Sequence, residues 1–131
     1  MTPAAFLVSA LLREAKAVRP PTKEERTSPC SAYRYALNVL HDRWPEGEPV
    51  ILTDPWWAYC YALDVIYGRW PEGEQVILTS PRWAYDYARH VIHGRFPEAE
   101  DLIMKSVYKD DYLDWVREQE KELAADLRGI E

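Results

Sequence analysis

Apolar and aromatic residues recur with a fixed period of 26 residues between positions 28 and 105. The middle copy reads DPWWAYCYALDVIYGRWPEGEQVILT, and two similar copies flank it. A fixed period in this range is typical of stacked repeats, in which no single unit can bury its own apolar face. The pattern therefore predicts three tandem units, 28–53, 54–79 and 80–105, that share one continuous core.

Each unit begins with a capping Ser or Asp followed by Pro, which is a helix-start signal. The dozen residues that follow favour a long helix. We expect this helix to end at a left-handed glycine, Gly68 in the second unit and Gly94 in the third. Asp42 holds the same position in the first unit.

A shorter segment completes each unit. It starts with a second Pro and two Glu, which suit a helix N-terminus, and it ends with three consecutive apolar residues such as 76–78. A short helix is favoured, although apolar residues bounded by Pro also fit a buried strand. Pro49 makes the first short helix irregular. The sequence thus predicts an all-α fold, a short α-solenoid of three helix-turn-helix repeats.

The flanking segments predict terminal caps. In the segment 1–27, Thr2 and Pro3 start a helix over 3–18, and Pro20 and Pro21 end it before an exposed polar linker over 22–27. In the segment 106–131, apolar residues among many charges predict an amphipathic capping helix over 108–129, with Gly129 as its stop.

The long helix has two contrasting faces on a helical wheel. Ala58, Tyr61, Ala62, Val65, Ile66 and Arg69 cluster on the predicted packing face. Positions that differ most between the copies lie opposite, and they predict a continuous partner-binding surface. Its residues are Arg34, Asn38, His41, Trp56, Leu63, Asp64, Tyr67, Arg82, Asp86, Arg89, His90 and His93. The alternative is drift on a solvent face, but exposed Trp and Tyr are typical anchors of binding.

A second set of residues recurs in all units and predicts a structural ladder: Arg43, Arg69, Arg95, Glu48, Glu74 and Glu100. We expect each Arg to pair with a Glu of its own or the next unit. Anion binding is the alternative role for the arginines. The paired tyrosines, such as Tyr59 and Tyr61, are interpreted as spacer and core residues rather than as a base-stacking platform, since no basic groove accompanies them.

Net charge and cysteine content indicate the kind of partner and the cellular compartment. The net charge of −6 disfavours phosphate-dominated nucleic-acid binding, and it fits a basic protein partner, mimicry of nucleic acid, or solubility alone. Cys30 and Cys60 occupy different repeat positions, which indicates a reducing, cytoplasmic setting without disulfides. The apolar run 4–12 is too short to cross a bilayer, so no membrane partner is predicted, and an amphipathic helix is favoured over the alternative of a signal peptide.

No motif for catalysis is present. No nucleophile motif, phosphate-binding loop or spaced carboxylate pair stands out, so the chain is predicted not to be an enzyme and to need no cofactor. Asp86, His90 and His93 share a helix face at a spacing that could meet one metal ion. The other units lack the set and no fourth ligand is placed to complete it, so no metal site is predicted.

The segment AYxYAxxVIxGRWPExE at 58–74, echoed at 32–48 and 84–100, resembles short tandem repeats of bacteriophage and large-virus proteins. The resemblance covers 28–105. It implies a phage or viral origin and a non-enzymatic recognition role in the host-cell cytoplasm. Asp42 for Gly, Phe96 for Trp and Ala99 for Gly depart from the pattern.

Three functional hypotheses follow. The first is a phage protein that binds or inhibits a host protein, for example one of host defence, through the variable helical face. The second is a structural or assembly protein that self-associates through its N-terminal helix. The third is a protein that binds nucleic acid, through Arg34, Arg82, Arg89 and the basic N-terminus, or that mimics it.

Overall fold

The computed structural model describes residues 18–130, and within this range every regular element is helical. In chain order the α-helices are α1 (Lys23–Thr27), α2 (Pro29–Tyr35), α3 (Glu48–Ile51), α4 (Pro55–Tyr61), α5 (Pro71–Ile77), α6 (Pro81–Tyr87), α7 (Pro97–Met104) and α8 (Lys109–Ile130). The all-α, solenoid-like prediction is confirmed. The helix predicted over 3–18 lies, apart from its last residue, outside the described range.

The long helix of each unit starts as predicted. The Asp54 side chain accepts a hydrogen bond from the backbone N–H of Trp56 at 2.8 Å, and Pro55 occupies the first helical position. Ser28 and Ser80 cap α2 and α6 in the same way. Each of these helices then widens into a π-helical turn. The three π-helical turns are Ala36–Leu40, Ala62–Ile66 and Ala88–Ile92.

The predicted left-handed glycines are wrong by one residue. The positive φ angles belong to His41 (53°), Tyr67 (61°) and His93 (59°), and no glycine in residues 18–130 has one. The wide turn explains the shift. The N–H of Tyr67 bonds back to the carbonyl of Ala62, and the N–H of Gly68 reaches the same carbonyl at 3.2 Å. The chain therefore reverses before Gly68, at a residue with a side chain.

The short segments are helices rather than strands. Helices α5 and α7 begin at Pro71 and Pro97, where a proline costs no intrahelical bond. In the first unit a 3₁₀ turn, Pro45–Gly47, precedes the single-turn helix α3, as expected from the additional Pro49. Each short helix buries one isoleucine completely: Ile51, Ile77 and Ile103.

Both flanking predictions need correction at their ends. The segment 22–27 is not a linker, because Thr22 and Glu25 form a capping box that starts helix α1. Gly129 does not stop the last helix, which runs through to Ile130. A glycine without a left-handed φ is only a weak helix former, and it does not end a helix by itself.

The packing face of the long helices forms the core. Ala58 and Ala62 are completely buried, as are the matching alanines of the other units, so neighbouring helices approach closely. Tyr61 and Val65 are buried with them, whereas Ile66 is half-buried and Arg69 is exposed. No helix in residues 18–130 is long and apolar enough to cross a membrane.

In the second and the third unit, one tyrosine fastens the unit to the unit before it. The Tyr87 hydroxyl donates to Glu74 Oε2 at 2.6 Å and accepts from the backbone N–H of Trp70 at 2.9 Å. Arg69 pairs with Glu74 through two hydrogen bonds of 2.9 and 2.7 Å. We call such a set of Tyr, Glu and Arg a latch. It joins the predicted Arg–Glu ladder to a tyrosine interpreted from sequence only as core.

The latch is repeated along the whole array. Tyr61 joins Glu48 and Arg43 in the same way, and Tyr112 of α8 joins Glu100 and Arg95. Helix α8 thus supplies the tyrosine that a fourth unit would have supplied. The stacked latches hold the long helices in one register, so that their variable faces lie side by side.

Candidate binding groove

The variable faces of the three units meet in an open groove of about 570 Å³. It brings together predicted site residues from every unit: Arg34, Trp56, Leu63, Asp64, Arg82, Asp86, Arg89 and His90. Because no single unit contributes the whole lining, the groove exists only when the units are stacked.

Aromatic rings line the middle of the groove. The Trp56 and Trp83 ring centroids are 4.3 Å apart, and Tyr59 stacks on Trp83 at 5.8 Å with an interplanar angle of 21°. Tyr33 and Trp57 extend the cluster into the first unit at 5.4 Å. Trp56 keeps 37% of its surface exposed. The rings fix one another in place, so the groove presents a preformed apolar surface.

The two carboxylates of the groove are already engaged. Asp64 accepts a hydrogen bond from the Tyr33 hydroxyl at 2.5 Å, across the boundary between two units. Asp86 pairs with Arg89, whose guanidinium lies 4.3 Å from the centroid of the Tyr85 ring. Burial and the Asp64 carboxylate both raise the pKa of Tyr33. The carboxylates therefore serve mainly to hold groove residues together.

Two arginines of the groove, Arg34 and Arg82, differ from Arg89 in their charge partners. Among residues 18–130, neither Arg34 nor Arg82 forms an ion pair. Arg82 instead lies over the Trp83 ring, with its guanidinium carbon 4.6 Å from the centroid. The groove of this acidic protein therefore offers unpaired positive charge beside aromatic surface.

Cys60 lines the groove, but its thiol is unreactive. The side chain is buried, and burial raises the pKa of its thiol to about 12. A thiol of this kind stays protonated at neutral pH, and only the thiolate is a nucleophile or a metal ligand. Cys60 thus contributes shape rather than reactivity.

The remaining predicted site residues lie outside the groove. His41 and Tyr67 border a separate small hollow of about 140 Å³, and His93 borders a cleft of about 390 Å³ beside α8. Asn38 is exposed but lines none of these depressions. The predicted surface is therefore one groove with a row of left-handed residues beyond it.

The Asp86, His90 and His93 set does not converge. His90 lines the groove and His93 lines the cleft beside α8, while Asp86 is paired with Arg89. Within the described part of the chain, no group of three or more His, Cys, Asp or Glu side chains could hold a metal ion.

Four groove residues escaped the sequence prediction: Tyr33, Trp57, Tyr59 and Trp83. The tyrosines are identical in every unit, so internal comparison assigned them to the scaffold. Trp57 and Trp83 did carry a signal, because the matching residue in the first unit is Ser31. A comparison of the chain with protein-family models, with curated proteins and with solved structures finds no match.

Proposed function

We propose that this chain is a non-enzymatic protein-binding module that engages its partner through the groove. The observation that carries the proposal is the preformed aromatic surface around Trp56 and Trp83. It is assembled from three units, and its tryptophans stand at positions where the units differ. An exposed indole inside a depression matches the anchor residues that dominate protein–protein binding energy.

Tyr67 supports a recognition role for the row beyond the groove. Its side chain is 83% exposed, and its backbone is left-handed, which a residue with a Cβ adopts at a cost of about 1 kcal/mol. His41 and His93 repeat this conformation in the other units. Strain and exposure together favour a residue kept for what it displays rather than for stability.

We further propose, from the resemblance of the repeats to those of bacteriophage proteins, that this binding takes place in the cytoplasm of an infected host. The partner is then a host protein, for example one of host defence, whose surface the array occludes. The acidic exterior suits a partner with a basic surface. The unpaired arginines Arg34 and Arg82 suit an acidic segment of that partner inside the groove itself.

The test is capture from a bacterial lysate with the immobilised full chain. The informative variant is Trp56→Ala/Tyr67→Ala, and the matched control is Val107→Ala, which truncates an exposed apolar residue outside the groove. We expect wild type and control to retain the same protein and the double variant to lose it. Circular dichroism confirms that each variant is folded. Identical proteins captured by all three forms would refute the proposal.

A further inference from the structure

Helix α8 extends well beyond the array that it caps. Tyr112 and Val116 in its first half are buried, whereas every residue from Glu120 to Gly129 is exposed. A contact of 3.6 Å joins Arg95 to Glu120 beside the turn that follows the third long helix. The last ten residues therefore run past that turn: Glu122, Leu123 and Asp126 border the open cleft beside it, and none of the ten lines the chain's own groove.

The projecting half carries an apolar strip. Leu123 is 61% exposed and Leu127 is 58% exposed, although leucine gains most from burial. They are one helical turn apart and lie on the face that continues from Val116. A capping role alone needs only the first half of α8, so the exposed leucines are surplus to that role.

An acidic residue lies next to this strip on each side. At about 100° per residue, Glu120 and Asp126 flank the two leucines, Glu122 lies beyond Asp126, and the basic Lys121 and Arg128 lie towards the opposite face. The cleft beside α8 agrees with this arrangement, because its lining includes the same three acidic residues together with Leu123. The strip is thus an apolar ridge between acidic borders.

We propose that the projecting half of α8 from a second copy lies in the groove. Leu123 and Leu127 pack on Trp56 and Trp83, and the acidic borders of the helix meet the unpaired Arg34 and Arg82. The groove arginines thereby gain acidic partners, and the exposed leucines of the helix gain an apolar surface to pack on. The proposal rests on the groove described under the proposed function, and a partner protein competes with the second copy for it.

The two contact surfaces differ, so the association is heterologous, or head-to-tail. Each copy keeps one free groove and one free helix after binding, unless a ring closes. We therefore expect the assembly to grow with protein concentration instead of stopping at a dimer. The contact is confined to about three turns of helix, which places it among weak, reversible interfaces.

Sedimentation velocity on the full chain, over a wide range of protein concentration, tests the proposal through charge reversal. Arg34→Glu/Arg82→Glu makes the groove acidic, and Glu122→Lys/Asp126→Lys makes the helix basic. We expect each variant alone to associate at least about tenfold more weakly than wild type, because like charges then face each other. Mixing the two variants restores association, because each groove then finds a helix of opposite charge.

Two further variants complete the experiment. Lys23→Glu/Arg26→Glu reverses two exposed charges outside the groove and is expected to associate like wild type. Leu123→Gln/Leu127→Gln removes the apolar strip at exposed sites, so the chain stays folded while association is lost. A wild-type chain that remains monomeric, or reversed variants that associate normally, would overturn the proposal. So would association that disappears only when residues 1–17 are removed.

The failure of this proposal can be distinguished from the failure of the proposed function by combining sedimentation with the capture experiment. A monomeric chain that still captures a protein through Trp56 and Tyr67 rejects the second copy and retains the proposed function. A chain that assembles through the groove but captures nothing from the lysate retains the second copy and rejects the host partner.

Discussion

The Trp70 ring occupies the space that a side chain at Gly73 would need. A Cβ built on Gly73 would lie 2.4 Å from Trp70 Cε3, and a Cβ on Gly47 would lie 2.1 Å from the same atom of Trp44. The third unit has Phe96 and Ala99 at these positions. The two departures from the repeat pattern are therefore one exchange, in which a smaller ring makes room for a methyl group.

Gly73→Ala is expected to destabilise the protein by about 1–3 kcal/mol, because it overpacks a filled site. Trp70→Phe alone leaves space and destabilises as well. The double variant Trp70→Phe/Gly73→Ala reproduces the third unit and should recover part of the loss. Urea unfolding of the four forms gives the coupling energy. Simple additivity of the two single changes would contradict the exchange.

Loss of a latch hydroxyl should cost more than loss of an ordinary one. Tyr87→Phe leaves the Glu74 carboxylate and the Trp70 N–H each short of a hydrogen-bond partner, which costs about 1–3 kcal/mol. Tyr67→Phe is the matched control, since its hydroxyl is exposed and bonds to nothing within residues 18–130. Chemical denaturation of both variants should separate them clearly, and equal stabilities would count against the latch.

The latch also predicts acid sensitivity. The hydrogen bond from Arg69 lowers the pKa of Glu74 below its ordinary value of 4.5, with help from the Tyr87 hydroxyl and against the effect of burial. A carboxyl whose pKa is lower in the folded state stabilises that state above the unfolded value. The stabilisation is lost as pH falls through the folded value.

The stability difference between wild type and Glu74→Gln should therefore shrink as pH falls from neutral through 4.5 and then through the lower pKa of the folded state. Glu72→Gln, a change at an exposed glutamate two residues earlier, serves as the control and should leave the pH profile close to that of wild type. Thermal unfolding measured across this range provides the comparison. A Glu74→Gln profile parallel to that of wild type would show that the latch does not titrate.

The left-handed residues make an opposite prediction, a gain of stability. Tyr67→Gly should stabilise the protein by about 1 kcal/mol, because glycine adopts a φ of 61° without strain. Gly68→Ala should be tolerated, since Gly68 has no positive φ and its Cβ would meet nothing within 4 Å. If Gly68→Ala proves costly and Tyr67→Gly does not help, the assigned turn geometry is wrong.

The sequence predicted the scaffold better than the surface, for physical reasons. Period, caps and prolines are local signals, so the helices and their order followed from them. The π-helical turns carry no such signal, and they moved the left-handed position from Gly68 to Tyr67. The sequence predicted only part of the latch. The Arg–Glu pairing follows from regular spacing, but Tyr87 reaches Glu74 only in the folded array.

The sequence predicted the groove residues that vary between the units, but it missed most of the aromatic residues that line the middle of the groove. Trp56 and Arg82 differ between units, so comparison of the copies found them. Tyr33 and Tyr59 are constant, and constancy within a repeat array does not distinguish a core residue from a groove residue. Which of them lines a surface depends on how the units stack, and that is a property of tertiary structure.

The indole N–H signals in the nitrogen-15 NMR spectrum of the full chain test the central claim most directly. Trp56, Trp57 and Trp83 line the groove, Trp44 and Trp70 lie in the core, and Trp115 belongs to α8 and lines the cleft beside that helix. On addition of the captured partner, the account predicts that the three groove signals shift while the two core signals stay in place. Binding that leaves the groove signals unchanged, or moves only that of Trp115, would contradict it.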